Sequence, residues 1–153
     1  MPRRLALALS LISAFSAGAA AQERQWSLDA GDENAYLVFG VPESDDVGFS
    51  MWCANRSGEI NIFVPESDPG LEPGKTVTFK MTAGEEKALI VGKASANEES
   101  GTISLEASIA DSNPIFAGLL TADRFRVKLG EEEQIFPLMD ADVAGLLALC
   151  RKP

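Results

Sequence analysis

Histidine is absent from the 153-residue sequence, which also has only two cysteines and one tyrosine. Without imidazole, the usual zinc sites, histidine-activated nucleophiles and a pH switch near neutrality are excluded. Cations are few as well, since 13 lysines and arginines accompany 23 acidic residues and give a formal charge of −10. A surface this acidic repels nucleic acid and anionic membranes, and it favours basic proteins, cationic ligands or divalent cations.

A long apolar run occurs only at the N-terminus, where it has the features of a secretory signal. Arg3 and Arg4 precede an almost uncharged Leu/Ala/Ser run, and three alanines follow in a small–x–small pattern. We interpret residues 1–21 as a cleaved export signal and residues 22–153 as a single β-rich domain. An uncleaved anchor is the alternative, but the run is short for a bilayer span. The predicted location is periplasmic or secreted, with no stable membrane insertion after cleavage.

Cys53 and Cys150 are predicted to form one disulfide bond, because a lone cysteine pair in an oxidising compartment usually does so. Chain-entropy models give about 4–5 kcal/mol for a loop of this size. Two buried free thiols or a catalytic thiol are the alternatives. A reactive cysteine usually has a cationic or histidine partner, and only Arg151 and Lys152 are available nearby in the sequence.

Apolar and polar residues alternate with period two along most of the mature chain, which is typical of strands with one buried face. Polar turns are predicted at 82–86, 97–101 and 130–133. Between the turns, the pattern predicts strands at 35–41, 47–53, 59–64, 76–81, 88–94, 103–109 and 124–129. This spacing predicts an all-β domain, mainly an antiparallel sandwich or a barrel-like fold.

Two segments break the alternation and are predicted to be short helices. Residues 111–120 combine a polar cap, a proline in the first turn and a short apolar body. From Val143 to Cys150, apolar residues recur at i, i+3, i+4 and i+7, the pattern of a helix that docks on a core. Asp140 or Asp142 would cap this helix. The disulfide would then link the C-terminal helix to the sheet.

The pentapeptide Val-Pro-Glu-Ser-Asp occurs at 41–45 and again at 64–68, each time after a predicted strand. In an up-and-down meander, both copies would lie at the same end of the sheet. Six carboxylates would then form a candidate site for a partner: Glu43, Asp45, Asp46, Glu66, Asp68 and Glu72. Ordinary turn chemistry is the competing interpretation. Neither loop has the ligand spacing of a calcium site, so no metal is predicted.

A second candidate site lies on one predicted strand, where Arg124, Arg126 and Lys128 place three cations on the same face. They would receive an anionic ligand or partner; the alternative interpretation is a solvated face, paired with neighbouring carboxylates, or a protected edge strand. Trp52 and Phe63 point away from the main alternation and are expected to stack across a hairpin. The second layer of a sandwich is the favoured interpretation of that surface, and a binding patch is the alternative.

Catalytic motifs are not found: the sequence has no G-x-S-x-G elbow, no phosphate-binding glycine loop and no cluster of metal ligands. We therefore expect neither an enzyme nor a cofactor. The predicted function is a non-catalytic binding or accessory protein of the bacterial cell envelope that contacts an unidentified envelope protein, a basic one if the acidic loops bind. The alternative is a periplasmic inhibitor of a basic hydrolase such as lysozyme, since acidic loops suit a cationic cleft.

Three features in order resemble the periplasmic accessory proteins of type VI secretion and, more distantly, the invasion-associated locus B proteins. Cys53 is followed by a polar hairpin, a segment at 113–120 precedes a strand with basic residues, and Phe136-Pro137-Leu138 leads into a helix that ends in Cys150. The resemblance spans about residues 47–150. It implies the β-rich fold and the exported location, and it carries over no catalytic residues.

Overall fold

The computed structural model describes residues 23–67, 70–98 and 101–153, so the predicted export signal lies outside the described residues. The described chain is mainly β, with two short helices, as the alternation predicts. Its elements follow in the order β1 (Gln25–Ala30), β2 (Asn34–Gly40), β3 (Val47–Ala54), β4 (Glu59–Ser67), β5 (Thr76–Ala83), β6 (Glu86–Asn97), β7 (Thr102–Ala110), α1 (Ile115–Leu119), β8 (Arg124–Leu129), β9 (Glu132–Pro137) and α2 (Val143–Cys150).

The strands form one antiparallel sheet in the order β1-β2-β3-β4-β7-β6-β5-β8-β9. The first four strands form a meander, and β7 then pairs with both β4 and β6. The sheet curls, so that its two outermost strands approach each other. At this meeting point the indole Nε1 of Trp26 in β1 donates a hydrogen bond of 2.6 Å to the carbonyl oxygen of Pro137 in β9.

The inner face of the curled sheet buries the alternate apolar residues of nearly every strand. Aromatic rings connect strands from its two halves. The ring centroid of Phe49 in β3 lies 4.8 Å from that of Phe125 in β8, which in turn lies 5.0 Å from the ring centroid of Phe136 in β9. Each such ring pair adds about 0.5–1.5 kcal/mol beyond the burial of its area. The curl of the sheet therefore follows from packing as well as from strand twist.

One disulfide bond and two backbone hydrogen bonds hold helix α2 on the inner side of the sheet. Cys53 and Cys150 form the predicted disulfide, with their Cα atoms 5.7 Å apart. The β3–β4 hairpin donates backbone hydrogen bonds of 2.9 Å from Arg56 to Leu149 and from Gly58 to Cys150, which satisfy carbonyls at the helix C-terminus. The disulfide and the hydrogen bonds therefore hold the helix at the same place, its C-terminal end.

Several element boundaries differ from the sequence-based expectation. The start of α2 at Val143 agrees with the expectation, because Asp142, one of the two predicted caps, accepts a 2.8 Å hydrogen bond from the Gly145 amide. The predicted turn at 130–133 is too long, since β9 already begins at Glu132 and a tight turn with Gly130 at φ 55° precedes it. Strands β1 and β9 were not predicted.

Candidate binding surfaces

The first copy of the repeated pentapeptide forms the compact turn between β2 and β3. The hydroxyl of Ser44 donates a 2.9 Å hydrogen bond to the Val41 carbonyl and accepts one of 3.1 Å from the Asp46 amide. Glu43 adopts φ 57°, in the left-handed region. Glu43 and Asp45 are exposed at this turn.

The second copy has a different backbone but repeats one hydrogen bond. Ser67 Oγ donates to the Val64 carbonyl over 3.3 Å, the same three-residue spacing as in the first copy. Here, however, the segment belongs to β4, with an irregular register against β7 between Val64 and Ser67. The Pro65 carbonyl accepts from two β7 hydroxyls, Thr102 Oγ1 at 3.1 Å and Ser104 Oγ at 3.4 Å. The expectation of a strand ending at Val64 is therefore wrong.

The C-terminal ends of β2 and β4, which the two pentapeptides follow, lie at the same end of the sheet, since both strands run antiparallel to β3. Of the described acidic side chains of the first candidate site, Asp46 and Glu72 are paired with cations of the same chain. Asp46 Oδ1 lies 2.6 Å from an Arg24 nitrogen, and Glu72 lies 3.6 Å from Lys75. Glu66 lies in the described part of β4, and Asp68 lies outside the described residues. Within the described ranges, histidine, cysteine and acidic residues form no group of three suited to a metal ion.

Aromatic side chains line a depression of about 460 Å³ on the outer face of β2, β3 and β4. Trp52 stacks on Tyr36, with ring centroids 5.8 Å apart and planes inclined by 22°. Phe63 lies on the same face, in a cross-strand pair with Ser50. Tyr36 is 39% exposed, and Trp52 and Phe63 are half-buried. The expectation that this surface is a covered second layer of a sandwich is therefore wrong, because the outer face is open.

Cations occupy the outer face of a different part of the sheet. In β5, Phe79 and Met81 are buried, so the intervening Lys80 points outward. Lys80 pairs directly with Lys128 of β8, and Thr82 pairs with both Lys87 of β6 and Arg126 of β8. We call the following outward residues the cationic face: Lys80, Lys87, Lys93, Arg124, Arg126 and Lys128.

The three predicted cations of β8 thus form half of the cationic face. Arg126 lies 3.6 Å from Glu133, and Arg124 lies 3.4 Å from its neighbour Asp123. Among the described residues, the four lysines of the cationic face form no ion pair with an acidic side chain. Lys80, Lys87 and Lys93 were missed because only the strand pairing brings them beside β8. The sequence signal that could have identified them is the alternation of these lysines with buried apolar residues, which predicts that they point outward.

Exposed apolar side chains lie between the cations. Leu89, the direct partner of Lys80, is 76% exposed, and Val91 on the same strand is 63% exposed. Ile135, the direct partner of Arg126, is 54% exposed. Next to them, a mainly apolar depression of about 500 Å³ lies between Arg124, Ile135, Pro137 and Met139. The surface therefore offers both positive charge and apolar contact.

The distribution of charge divides the sheet into two parts. Strands β1, β2, β3, β4 and β7 are contiguous and contain no lysine or arginine. Every strand cation of the described chain belongs to β5, β6 or β8, which also adjoin one another. In this protein of formal charge −10, the strand cations of the described residues are therefore confined to one part of the sheet.

No family model matches this sequence, and neither a curated protein nor a solved structure matches the chain. Within the described residues, neither helix is long and apolar enough to cross a membrane.

Proposed function

We propose that this protein is an exported, non-catalytic binding protein of the bacterial cell envelope that acts through contacts with another protein. The observation that carries the proposal is the outer face of the sheet. Leu89 and Val91 are exposed side by side on β6, and contiguous exposed apolar residues are typical of surfaces that contact partners; Tyr36 is exposed separately on β2. A disulfide that closes most of the domain supports the exported location, because such bonds persist in oxidising compartments.

The likeness of residues 47–150 to type VI secretion accessory proteins supports the same location. The expected mature form begins at Gln22, so mass spectrometry of a periplasmic fraction tests the location directly. A precursor that keeps residues 1–21 in the cytoplasm would contradict this part of the proposal.

Site-specific photocrosslinking in living bacteria tests the binding function. A photoreactive amino acid replaces Leu89 on the cationic face or Tyr36 in the aromatic depression, and replaces exposed Ala144 of α2 as the control. We expect a discrete crosslinked protein from at least one outer-face position and none from Ala144. The absence of crosslinks from both outer positions, with the variants exported and oxidised, would overturn the proposal.

Inhibition of a basic hydrolase such as lysozyme is the second proposal. The exposed Glu43 and Asp45 support it, whereas the pairing of Asp46 with Arg24 removes one carboxylate from the candidate surface. Inhibition of lysozyme at low salt, weakened by Glu43→Gln with Asp45→Asn, would favour this proposal. Unchanged lysozyme activity at a large excess of the protein would exclude it for that enzyme.

A further inference from the structure

We infer that the cationic face binds a short, extended acidic segment of the partner protein, in which carboxylates and apolar side chains share one face. This inference rests on the proposed function and names the surface and the chemistry of the partner. The acidic loops led us to expect a basic partner, whereas the cationic face predicts an acidic one.

The first argument is the pairing of like charges. Lys80 and Lys128 lie directly opposite each other in neighbouring strands, and such pairs destabilise a sheet. Lys87 flanks them through Thr82, and none of these three lysines forms an ion pair with a described acidic residue, although Glu133 of β9 is the cross-strand partner of Lys128. Negative charge from a ligand would relieve the repulsion, so the arrangement favours an anionic ligand over an empty surface.

The second argument is the apolar residues between the cations. Leu89 faces Lys80 across one strand pair, and Ile135 faces Arg126 across another. A simple anion such as phosphate would leave these side chains in water. An extended chain with carboxylates and apolar residues at successive i and i+2 positions would contact both, because only every second side chain of a strand points to the same face.

The size of the surface favours a segment over a large globular interface. Four strands spaced about 4.8 Å apart and about eight residues long cover roughly 500 Å². A stable complex of two globular proteins usually buries about 800 Å² on each side. A second copy of this chain, which is itself a globular domain, is therefore a poor fit for this surface.

Acidic residues border the cationic face at both strand ends and favour a protein segment over a lipid bilayer. Glu85 and Asp123 lie at one end, near the β5–β6 turn, and Glu131 lies at the other, while Glu133 lies within the face, opposite Lys128 and 3.6 Å from Arg126. A planar anionic bilayer would meet these carboxylates together with the cations. A narrow peptide can lie between them.

Fluorescence anisotropy with a labelled peptide of the repeat Glu-Ser-Leu-Ser, which places glutamate and leucine on one strand face, tests the inference on the oxidised protein. Peptides in which serine replaces every leucine, or lysine replaces every glutamate, are the matched probes. We expect the glutamate–leucine peptide to bind most tightly, with an affinity that falls as salt rises from about 0.1 to 1 M, where the Debye length shrinks from about 10 to 3 Å.

Two double variants distinguish the effect of charge on the cationic face from the effect of net charge on binding. Lys80→Glu with Lys128→Glu should weaken binding of the glutamate–leucine peptide by about tenfold or more, because two attractions become repulsions. Arg151→Glu with Lys152→Glu makes the same change in net charge beyond α2 and should leave affinity within about twofold. Leu89→Ser should also weaken binding, while thermal unfolding of each variant checks that it is folded.

Several outcomes would overturn the inference. These are equal binding by the two double variants, equal binding of the serine and leucine peptides, or tighter binding to phosphatidylglycerol vesicles than to the peptide. In the crosslinking experiment, capture from Tyr36 but not from Leu89 would overturn this inference and leave the proposed function standing. Absence of capture from both positions would remove the function itself.

Discussion

The two parts of the sheet resemble each other inside and differ outside. Both bury alternate apolar residues, and the rings of Phe49 and Phe125 meet across the interior. Outside, the β1–β4 and β7 part carries no lysine or arginine, whereas the β5, β6 and β8 part places Lys80 against Lys128. The difference indicates that stability determined the inner face and that another requirement determined the cationic face.

The anchoring of the two parts also differs. Strands β1, β2 and β3 contact α2, which the disulfide and the β3–β4 hairpin hold in place. The other part packs against the much shorter α1. Covalent support is therefore concentrated away from the cationic face. Four substitutions would sharpen or break this comparison.

Removing the disulfide should have the largest effect. Cys53→Ser with Cys150→Ser should lower the free energy of unfolding by about 4–5 kcal/mol, because the unfolded chain regains the entropy of a long loop. Urea titration followed by circular dichroism measures the change. Wild-type protein in reductant should behave like the double variant, and an unchanged unfolding midpoint would show that α2 does not depend on the bond.

Truncating the ring that joins the two parts should have the next largest effect. Phe125→Ala should lower the free energy of unfolding by about 3–4 kcal/mol, because it leaves a cavity among packed aromatic rings. Phe63→Ala, on the outer face and only half-buried, is the matched control and should cost less than half as much. Equal costs in the same urea titration would contradict the assignment of inner and outer faces.

Removing the cap of α2 should have a moderate effect. Asp142→Ala deprives the Gly145 amide of its acceptor and should lower the free energy of unfolding by about 1 kcal/mol. Asp142→Ser retains an acceptor and should recover most of the loss. If serine and alanine prove equally destabilising, the hydrogen bond does not stabilise the helix.

Reversing one charge on the cationic face should have the smallest effect and the opposite sign. Lys80→Glu replaces a repulsive pair with an attractive one and should raise the free energy of unfolding by about 0.5 kcal/mol at low salt. Lys80→Gln should gain less, and both gains should shrink in high salt. Destabilisation by Lys80→Glu would indicate that Lys80 supports the fold rather than binding.

Much of the fold could be predicted because its signals are local. The alternation from Val47 to Cys53 and the apolar stripe of α2 each report one buried face within a single segment. The disulfide followed from the count of cysteines and the export signal. Strand β9 was missed because its acidic start resembles a turn, although Ile135 and Phe136 follow within the same strand.

The candidate site depended on non-local information. A strand's alternation predicts that Lys80 points outward, but only the order β7-β6-β5-β8 brings it beside Lys128. The acidic loops were easier to recognise, since a repeated pentapeptide is visible in the sequence. In the structure, both copies of the repeat form the same type of hydrogen bond, in which the serine hydroxyl donates to the valine carbonyl: Ser44 to Val41 and Ser67 to Val64.

The indole bridge between Trp26 and Pro137 has a spectroscopic consequence. Trp26 is buried where the ends of the sheet meet, whereas Trp52 is half-buried on the outer surface. Their emission therefore reports two separate events: uncurling of the sheet exposes the first indole to water, and occupancy of the aromatic depression shields the second from a soluble quencher. A single optical measurement with Trp52→Phe can assign each signal to its residue.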